Sequence, residues 1–228
     1  MIQLTRTGTV VSASSRDLER LREEFDRQHC VRVPAFLAPD LCHFTQSELE
    51  RATFTERVHR RPEPGAPADH AVWARDLTVE EPLAKGAFHV LLMNDATLFA
   101  AVRSITGCGP IGSFVGALYR MHASDEHYDS WHHDCAHSRM IAVSINLSSD
   151  VYSGGVLQIR ERESGAIVHE VANTGVGDAI VFRVSPDLEH RVTAVKGAVA
   201  KTAYAGWFCS EPVFDLLSEI HQPAQPSP

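Results

Sequence analysis

The sequence predicts a mainly β domain, a sandwich or barrel with helices packed outside it. Helix-like segments come first in the chain, and short alternating runs come later, so helices and strands do not alternate. Glycine, serine and aspartate separate the runs, and 163–165 reads as a hairpin turn. Seven or so runs at this spacing are typical of sandwiches and barrels. The runs cover 114–121, 140–147, 156–160, 167–171, 179–184, 191–195 and 202–208.

Helices are predicted in the first half of the chain. Leu18, Leu21 and Phe25 recur at helical spacing behind Ser15, a candidate N-cap. Pro39 is placed to open a second helix, because proline is favoured in a first helical turn. Further elements are expected at 31–33 (strand), 40–53 and 95–106 (helices).

A loop and a basic cluster lie between the second and third predicted helices. Residues 62–70 hold three prolines and a glycine, which predicts a loop long enough to act as a lid. The cluster just before it is either a solvated helix end or a site for an anionic substrate group. It consists of Arg57, His59, Arg60 and Arg61. Trp73, close behind the loop, is a candidate for stacking on a substrate.

Composition and charge limit the function classes. The 228 residues are 44% hydrophobic and 22% charged, as in ordinary globular proteins, with a formal net charge of −8. An acidic chain works against nucleic-acid or membrane-surface binding, and we expect neither partner. We find no bilayer-spanning run and no secretory signal. Five scattered cysteines without a Cys-x-x-Cys pair favour reduced thiols in a cytoplasmic protein.

The densest polar cluster, at 131–137, offers metal ligands. His132 and Asp134 are two residues apart, so in an extended chain both side chains leave the same face. His190 opens a later strand-like run and is a third candidate ligand. Two histidines and one carboxylate on one face of an ion form the facial triad of non-haem Fe(II) oxygenases. A zinc site on His133, Cys135 and His137 is an alternative, although no second Cys or His pair completes it.

Several sequence motifs flank these candidate ligands. A Gly-Asp pair at 177–178 begins an apolar strand before His190, and valines and a glycine follow that histidine. Lys201 precedes Trp207 by six residues, and a Gly-Gly turn lies at 154–155. With this set, residues 111–210 resemble the 2-oxoglutarate and Fe(II)-dependent dioxygenases, particularly the prolyl-4-hydroxylase-like and small bacterial members.

The resemblance implies a fold, cofactors and site residues. The fold would be a double-stranded β-helix, a jelly-roll or cupin-like barrel. Fe(II) would bind His132, Asp134 and His190, with no further catalytic residue. The far carboxylate of 2-oxoglutarate would meet Lys201, with Tyr119 as a second contact. O₂ would be the other co-substrate, and ascorbate is a candidate supporting reductant.

The resemblance also implies the domain organisation, as one dioxygenase domain over 1–228. Within it, 1–110 would give mostly helical support and the lid, 111–210 the β-helix core, and 211–228 a C-terminal helix and tail. Arginine is commoner in the family where Lys201 stands. Asp134 argues against halogenation, because halogenating members have glycine or alanine there.

The function expected from this resemblance is hydroxylation of a C–H bond of a small molecule, such as an amino-acid derivative or natural-product intermediate. A peptidyl or prolyl hydroxylase is the alternative within the superfamily, and a non-catalytic cupin-like binding barrel is the alternative of another class. The sequence leaves the substrate-binding residues and the oligomeric state open. Arg139 and Arg183 are equally open between surface charge and substrate contact.

Overall fold

The computed structural model describes residues 1–61, 71–79, 92–124, 127–135, 138–172 and 174–212. The helices are α1 (Ser15–Gln28), α2 (Pro39–Arg51) and α3 (Ala96–Thr106). The strands are β1 (Ile2–Thr5), β2 (Gly8–Val11), β3 (Cys30–Val33), β4 (Phe54–Arg61), β5 (Ala71–Val79), β6 (Ser113–Met121), β7 (Tyr128–His132), β8 (Arg139–Asn146), β9 (Ser153–Gly154), β10 (Leu157–Glu161), β11 (Ile167–Val171), β12 (Ala179–Arg183), β13 (Leu188–Val192), β14 (Val195–Lys196) and β15 (Lys201–Cys209).

Eleven of the described strands form one antiparallel sheet that folds back on itself. Its order is β11-β10-β13-β7-β5-β6-β15-β8-β12-β3, with β4 paired to β5. The β10-β13-β7 end faces the β6-β15-β8 end, and both contribute side chains to one interior cavity. This nearly closed barrel confirms the barrel that the strand pattern predicts and agrees with the double-stranded β-helix that the resemblance implies. The hairpin at 163–165 is confirmed, since it joins β10 to β11.

The helices cover the outer face of the β6-β15-β8 region. Phe25, Leu98 and Phe208 are fully buried between the helices and these strands. Because this core fixes β15 and β6 from outside, their inner faces are left to form the cavity wall. The helix predictions are confirmed, but Ser14 rather than Ser15 caps α1. Asp17 lies three residues after Ser14, which completes a capping box that Ser15 could not form.

The basic cluster before the predicted lid lies on a strand and not at a helix end. α2 ends at Arg51, and β4 pairs with β5 with Arg57 opposite Asp76. The β-branched residues Thr53, Thr55 and Val58 favour this extended conformation. The lid prediction for 62–70 and the C-terminal helix lie outside the described residues.

None of the described helices combines the length and the apolar character that crossing a membrane requires.

Candidate metal centre

Two histidines and one aspartate meet inside the β-helix. His132 on β7 and His190 on β13 are direct cross-strand neighbours, with ring centroids 4.2 Å apart. Asp134 follows β7, and its Oδ1 and Oδ2 lie 3.6 Å from His132 Nε2 and 3.3 Å from His190 Nε2. One ligand atom from each residue lies within 4.8 Å of the other two. The structure therefore brings together the three residues that the sequence singles out.

The tautomer of His132 suits metal binding. Its Nδ1 lies 2.7 Å from the carbonyl oxygen of Ser130, so Nδ1 carries the proton and donates it. Nε2 then keeps its lone pair and faces Asp134 and His190. A hydrogen bond at the distal nitrogen is the usual way in which proteins orient a metal-binding histidine.

Asp134 is held as an anion. Burial by itself raises the pKa of this carboxyl group. The contact with His190, the positive charge that both histidines can carry and the Trp207 hydrogen bond together lower the pKa well below its usual range. Trp207 Nε1–H donates to Oδ2 at 2.7 Å. The sequence singles out Trp207 only by its spacing from Lys201, and it does not predict this contact with a candidate ligand.

Asp129 is a second residue that sequence reasoning missed. His190 pairs with His132 and Val192 pairs with Asp129, so β7 carries one extra residue at this point. This bulge turns Asp129 to the same face as His132, although the two are three residues apart. Asp129 Oδ1 lies 3.2 Å from His132 Nδ1, and burial raises the pKa of Asp129 to about 7.

Lys201 enters the cavity at the other end of β15 from Trp207. Its Nζ donates to the Gly155 carbonyl at 2.9 Å, and desolvation lowers its pKa to about 8. Gly155 has a φ of 58°, and a Cβ there would lie 3.0 Å from Lys201 Cδ. Gly154 has a φ of 69°, and its Cβ would lie 2.1 Å from the Ala194 carbonyl oxygen. The Gly-Gly turn is therefore required for the backbone to pass this close to the lysine.

Tyr119 lines the same cavity from β6, one strand away from Lys201. Burial raises the pKa of its phenol, and Arg57 opposes this rise. The Arg57 guanidinium lies 4.4 Å from the Tyr119 ring centroid and donates to Asp76 at 3.2 and 3.1 Å. Arg57 therefore belongs to the cavity wall, as a cation already paired with a carboxylate.

The cavity has a volume of about 610 Å³. The wall opposite the triad carries small side chains, which leave this space open. They are Ala117, Ala142, Ser144, Ala203 and Ala205. Ile180 and Phe182 make a second part of the lining apolar. A volume of this size suits a small organic ligand.

The alternative zinc site falls partly outside the described residues. Cys135 is exposed, and His137 and the side chain of Trp73 are not among the described residues, so the zinc site on His133, Cys135 and His137 stays a prediction. Only His132, Asp134 and His190 form a metal-ligand cluster within the described residues.

The residues present fit Fe(II) and 2-oxoglutarate. Two imidazoles and one carboxylate are a donor set for non-haem Fe(II), and they leave coordination positions open. Lys201 is a desolvated cation that donates to one backbone carbonyl, and an ammonium group has three N–H donors, so further donors remain for a carboxylate.

Comparisons with known proteins agree with this geometry. Residues 116–209 match the family model described as 2OG-Fe(II) oxygenase superfamily. No curated protein sequence matches the chain. A Burkholderia pseudomallei oxidoreductase of the 2OG-Fe(II) oxygenase family is similar in structure, with a TM-score of 0.61 and 14% identity over 93% of this chain and 97% of that one.

Two further structures share the fold. A Pseudomonas putida prolyl-4-hydroxylase has a TM-score of 0.55 and 17% identity over 84% of this chain and 98% of its own. The α-ketoglutarate-dependent epimerase SnoN from nogalamycin biosynthesis has a TM-score of 0.60 and 14% identity over 94% of both chains. At these identities the likeness establishes the fold, and the matched family model adds the class. Residues 116–209, which contain all three candidate ligands and Lys201, are therefore similar to the 2OG-Fe(II) oxygenase superfamily, and these findings together indicate a dioxygenase of the oxidoreductase class.

Proposed function

We propose that this protein hydroxylates a C–H bond of a small molecule, using Fe(II) bound by His132, Asp134 and His190. The observation that carries the proposal is the cluster of their three ligand atoms on the wall of one cavity. When bound, iron and 2-oxoglutarate would supply the activation of O₂, the oxidant: one oxygen atom would enter the succinate that forms from 2-oxoglutarate with loss of CO₂, and the other would enter the C–H bond of the substrate. We include O₂ as the second co-substrate and ascorbate as a supporting reductant.

The proposed role of Lys201 is to bind the far carboxylate of 2-oxoglutarate. A carboxylate in a desolvated site costs several kcal/mol unless a cation accompanies it. Lys201 is such a cation, and its hydrogen bond to the Gly155 carbonyl fixes the position of its ammonium group. Tyr119 lies on the adjacent strand and is the proposed second donor to this carboxylate.

The proposed role of the cavity is to hold the substrate and to exclude water. Its size suits a small molecule, and the apolar side chains of Ile180 and Phe182 disfavour bulk water next to the triad. The similarity to SnoN, an epimerase from nogalamycin biosynthesis, supports a small-molecule substrate. The similarity to a prolyl-4-hydroxylase supports a peptidyl substrate as the second candidate. The volume of about 610 Å³ favours the small molecule.

Anaerobic addition of Fe(II) and 2-oxoglutarate tests the proposal. Wild type is expected to develop the weak visible metal-to-ligand band of a bound 2-oxoglutarate and, on admission of air, to form succinate. His132→Ala is expected to do neither. His43→Ala, on the exposed face of α2, is the matched control and should behave as wild type. A full band in His132→Ala, or none in wild type, would contradict the proposal.

A further inference from the structure

Arg139 lies on the cavity wall because of a second bulge. It is the first residue of β8, and its side chain is 23% exposed. On β15, Phe208 pairs with Ile141 and Cys209 pairs with Arg139, so β8 carries one extra residue here. The extra residue turns Arg139 to the same face as Ala142, and both line the cavity.

Two contacts fix the guanidinium beside the triad. The Arg139 guanidinium carbon lies 3.6 Å from the centroid of the Trp207 ring. The indole is itself fixed, since its N–H donates to Asp134 Oδ2 at 2.7 Å. A guanidinium stacked on an indole keeps the N–H donors of its edge free for a planar acceptor.

These donors have no hydrogen-bonded acceptor in the part of the chain that the structure describes. The nearest carboxylate atom, Asp134 Oδ1, is 3.8 Å from Arg139 Nη1, which is beyond hydrogen-bond distance. Arg57, in the same cavity, differs because it donates twice to Asp76. Arg139 is therefore a cation in a fixed position whose guanidinium N–H groups are available to a ligand.

Arg139 is well separated from the cation assigned to 2-oxoglutarate. Arg139 stacks on Trp207. On β15, Trp207 lies six residues from Lys201, which is about 20 Å along an extended strand. One small dicarboxylate cannot serve both cations. Ala142 pairs with both Trp207 and Phe182, so the cavity lining on this side includes apolar side chains.

We propose that Arg139 binds a carboxylate of the substrate, so that the substrate class is a carboxylic acid with an apolar body. This inference rests on the proposed function, because the substrate would occupy the part of the same cavity that iron and 2-oxoglutarate leave open. A planar, bidentate carboxylate matches the free edge of the stacked guanidinium better than a point anion does.

The test uses benzoate, a carboxylate on an apolar ring, and benzamide as its uncharged counterpart. Equilibrium dialysis is carried out on protein loaded with Zn(II), which is redox-inert, and saturated with 2-oxoglutarate. Wild type is expected to bind benzoate saturably and benzamide at least about tenfold more weakly. Arg139→Gln is expected to lose about tenfold or more in benzoate affinity, and Arg139→Lys to fall between the two.

Arg160→Gln is the matched control. Arg160 also stacks on an indole, 4.2 Å from the Trp131 centroid, but it pairs with Glu189 and does not line the cavity. Its benzoate affinity should equal that of wild type. Equal benzoate affinity in wild type and Arg139→Gln, or no saturable binding in wild type, would overturn the assignment.

Two further outcomes are also decisive. Loss of Zn(II) affinity in Arg139→Gln would show that Arg139 serves Asp134 instead of a substrate, which also overturns the assignment. Failure of the proposed function is distinguishable, because it would remove the anaerobic Fe(II)–2-oxoglutarate band from wild type. Failure of the Arg139 site alone leaves that band intact.

Discussion

The indole N–H of Trp207 donates a 2.7 Å hydrogen bond to Oδ2 of Asp134. This bond joins the last strand of the β-helix to the carboxylate of the triad. In the proposed metal site it would fix which oxygen of Asp134 remains for the metal, because outer contacts of this kind orient metal ligands.

Trp207→Phe is expected to weaken Fe(II) or Zn(II) binding about tenfold, because a smaller aromatic ring stays in place and the N–H donor to Asp134 is lost. Competition with a chromophoric chelator measures this affinity. Trp131→Phe makes the same change on an indole that does not line the cavity, and its metal affinity should stay at the wild-type value. An unchanged affinity in Trp207→Phe would show that the bond does not orient the ligand.

Asp129→Asn is expected to lower metal affinity by about tenfold, because the carboxylate 3.2 Å from His132 Nδ1 makes that imidazole a better donor to a cation. The amide keeps the shape and removes the charge. Asp187→Asn, at an exposed position, is the control in the same chelator assay. If both variants bound metal equally well, Asp129 would have no influence on the ligand.

The affinity for 2-oxoglutarate should depend on pH through Lys201. Desolvation lowers the pKa of this lysine to about 8 in the free protein, although Asp129 opposes the shift. The ammonium is present below that pH and is lost above it, so the dissociation constant should rise as the pH increases beyond about 8.

Titration of 2-oxoglutarate by the visible band, between about pH 7 and 9.5, measures this dependence. Lys201→Arg keeps its charge over the whole range and should show a flatter profile above pH 8. A wild-type profile as flat as that of the arginine variant would mean that the lysine does not bind the carboxylate.

Asp178→Asn is expected to destabilise the fold by about 3 kcal/mol, since it weakens a buried carboxylate network. The carboxylate accepts hydrogen bonds from Arg32 and from the backbone N–H groups of Ala35 and Gly175. Urea unfolding measures the loss. Asp150→Asn, on an exposed turn, should change stability by less than about 0.5 kcal/mol. A small effect at Asp178 would show that the Gly-Asp pair is not structurally required.

Helices and late strands could be predicted from the sequence because their patterns are local. Leu18, Leu21 and Phe25 mark one helical face, and that face is buried in the structure or packed against the core. β4 and β5 could not be predicted in this way. Their pairing joins residues on both sides of a proline-rich segment, and the charges on β4 resemble a solvated helix end.

The triad could be predicted in part. His132 and Asp134 follow from a spacing of two residues, whereas His190 needed the surrounding motifs. Asp129 and Arg139 could not be assigned to the cavity, because each faces it only through a bulge. In a regular strand, a residue three positions from His132 or from Ala142 points to the opposite face.

Metal stoichiometry tests the central claim most directly. Purified wild type, reconstituted anaerobically with Fe(II) and desalted, should retain one ion per chain. Single alanine variants of His132, Asp134 and His190 should each retain almost no iron. Each variant should unfold in urea at a midpoint close to that of wild type. Stoichiometric iron in any of the three folded variants would contradict the claim that these side chains together hold the metal.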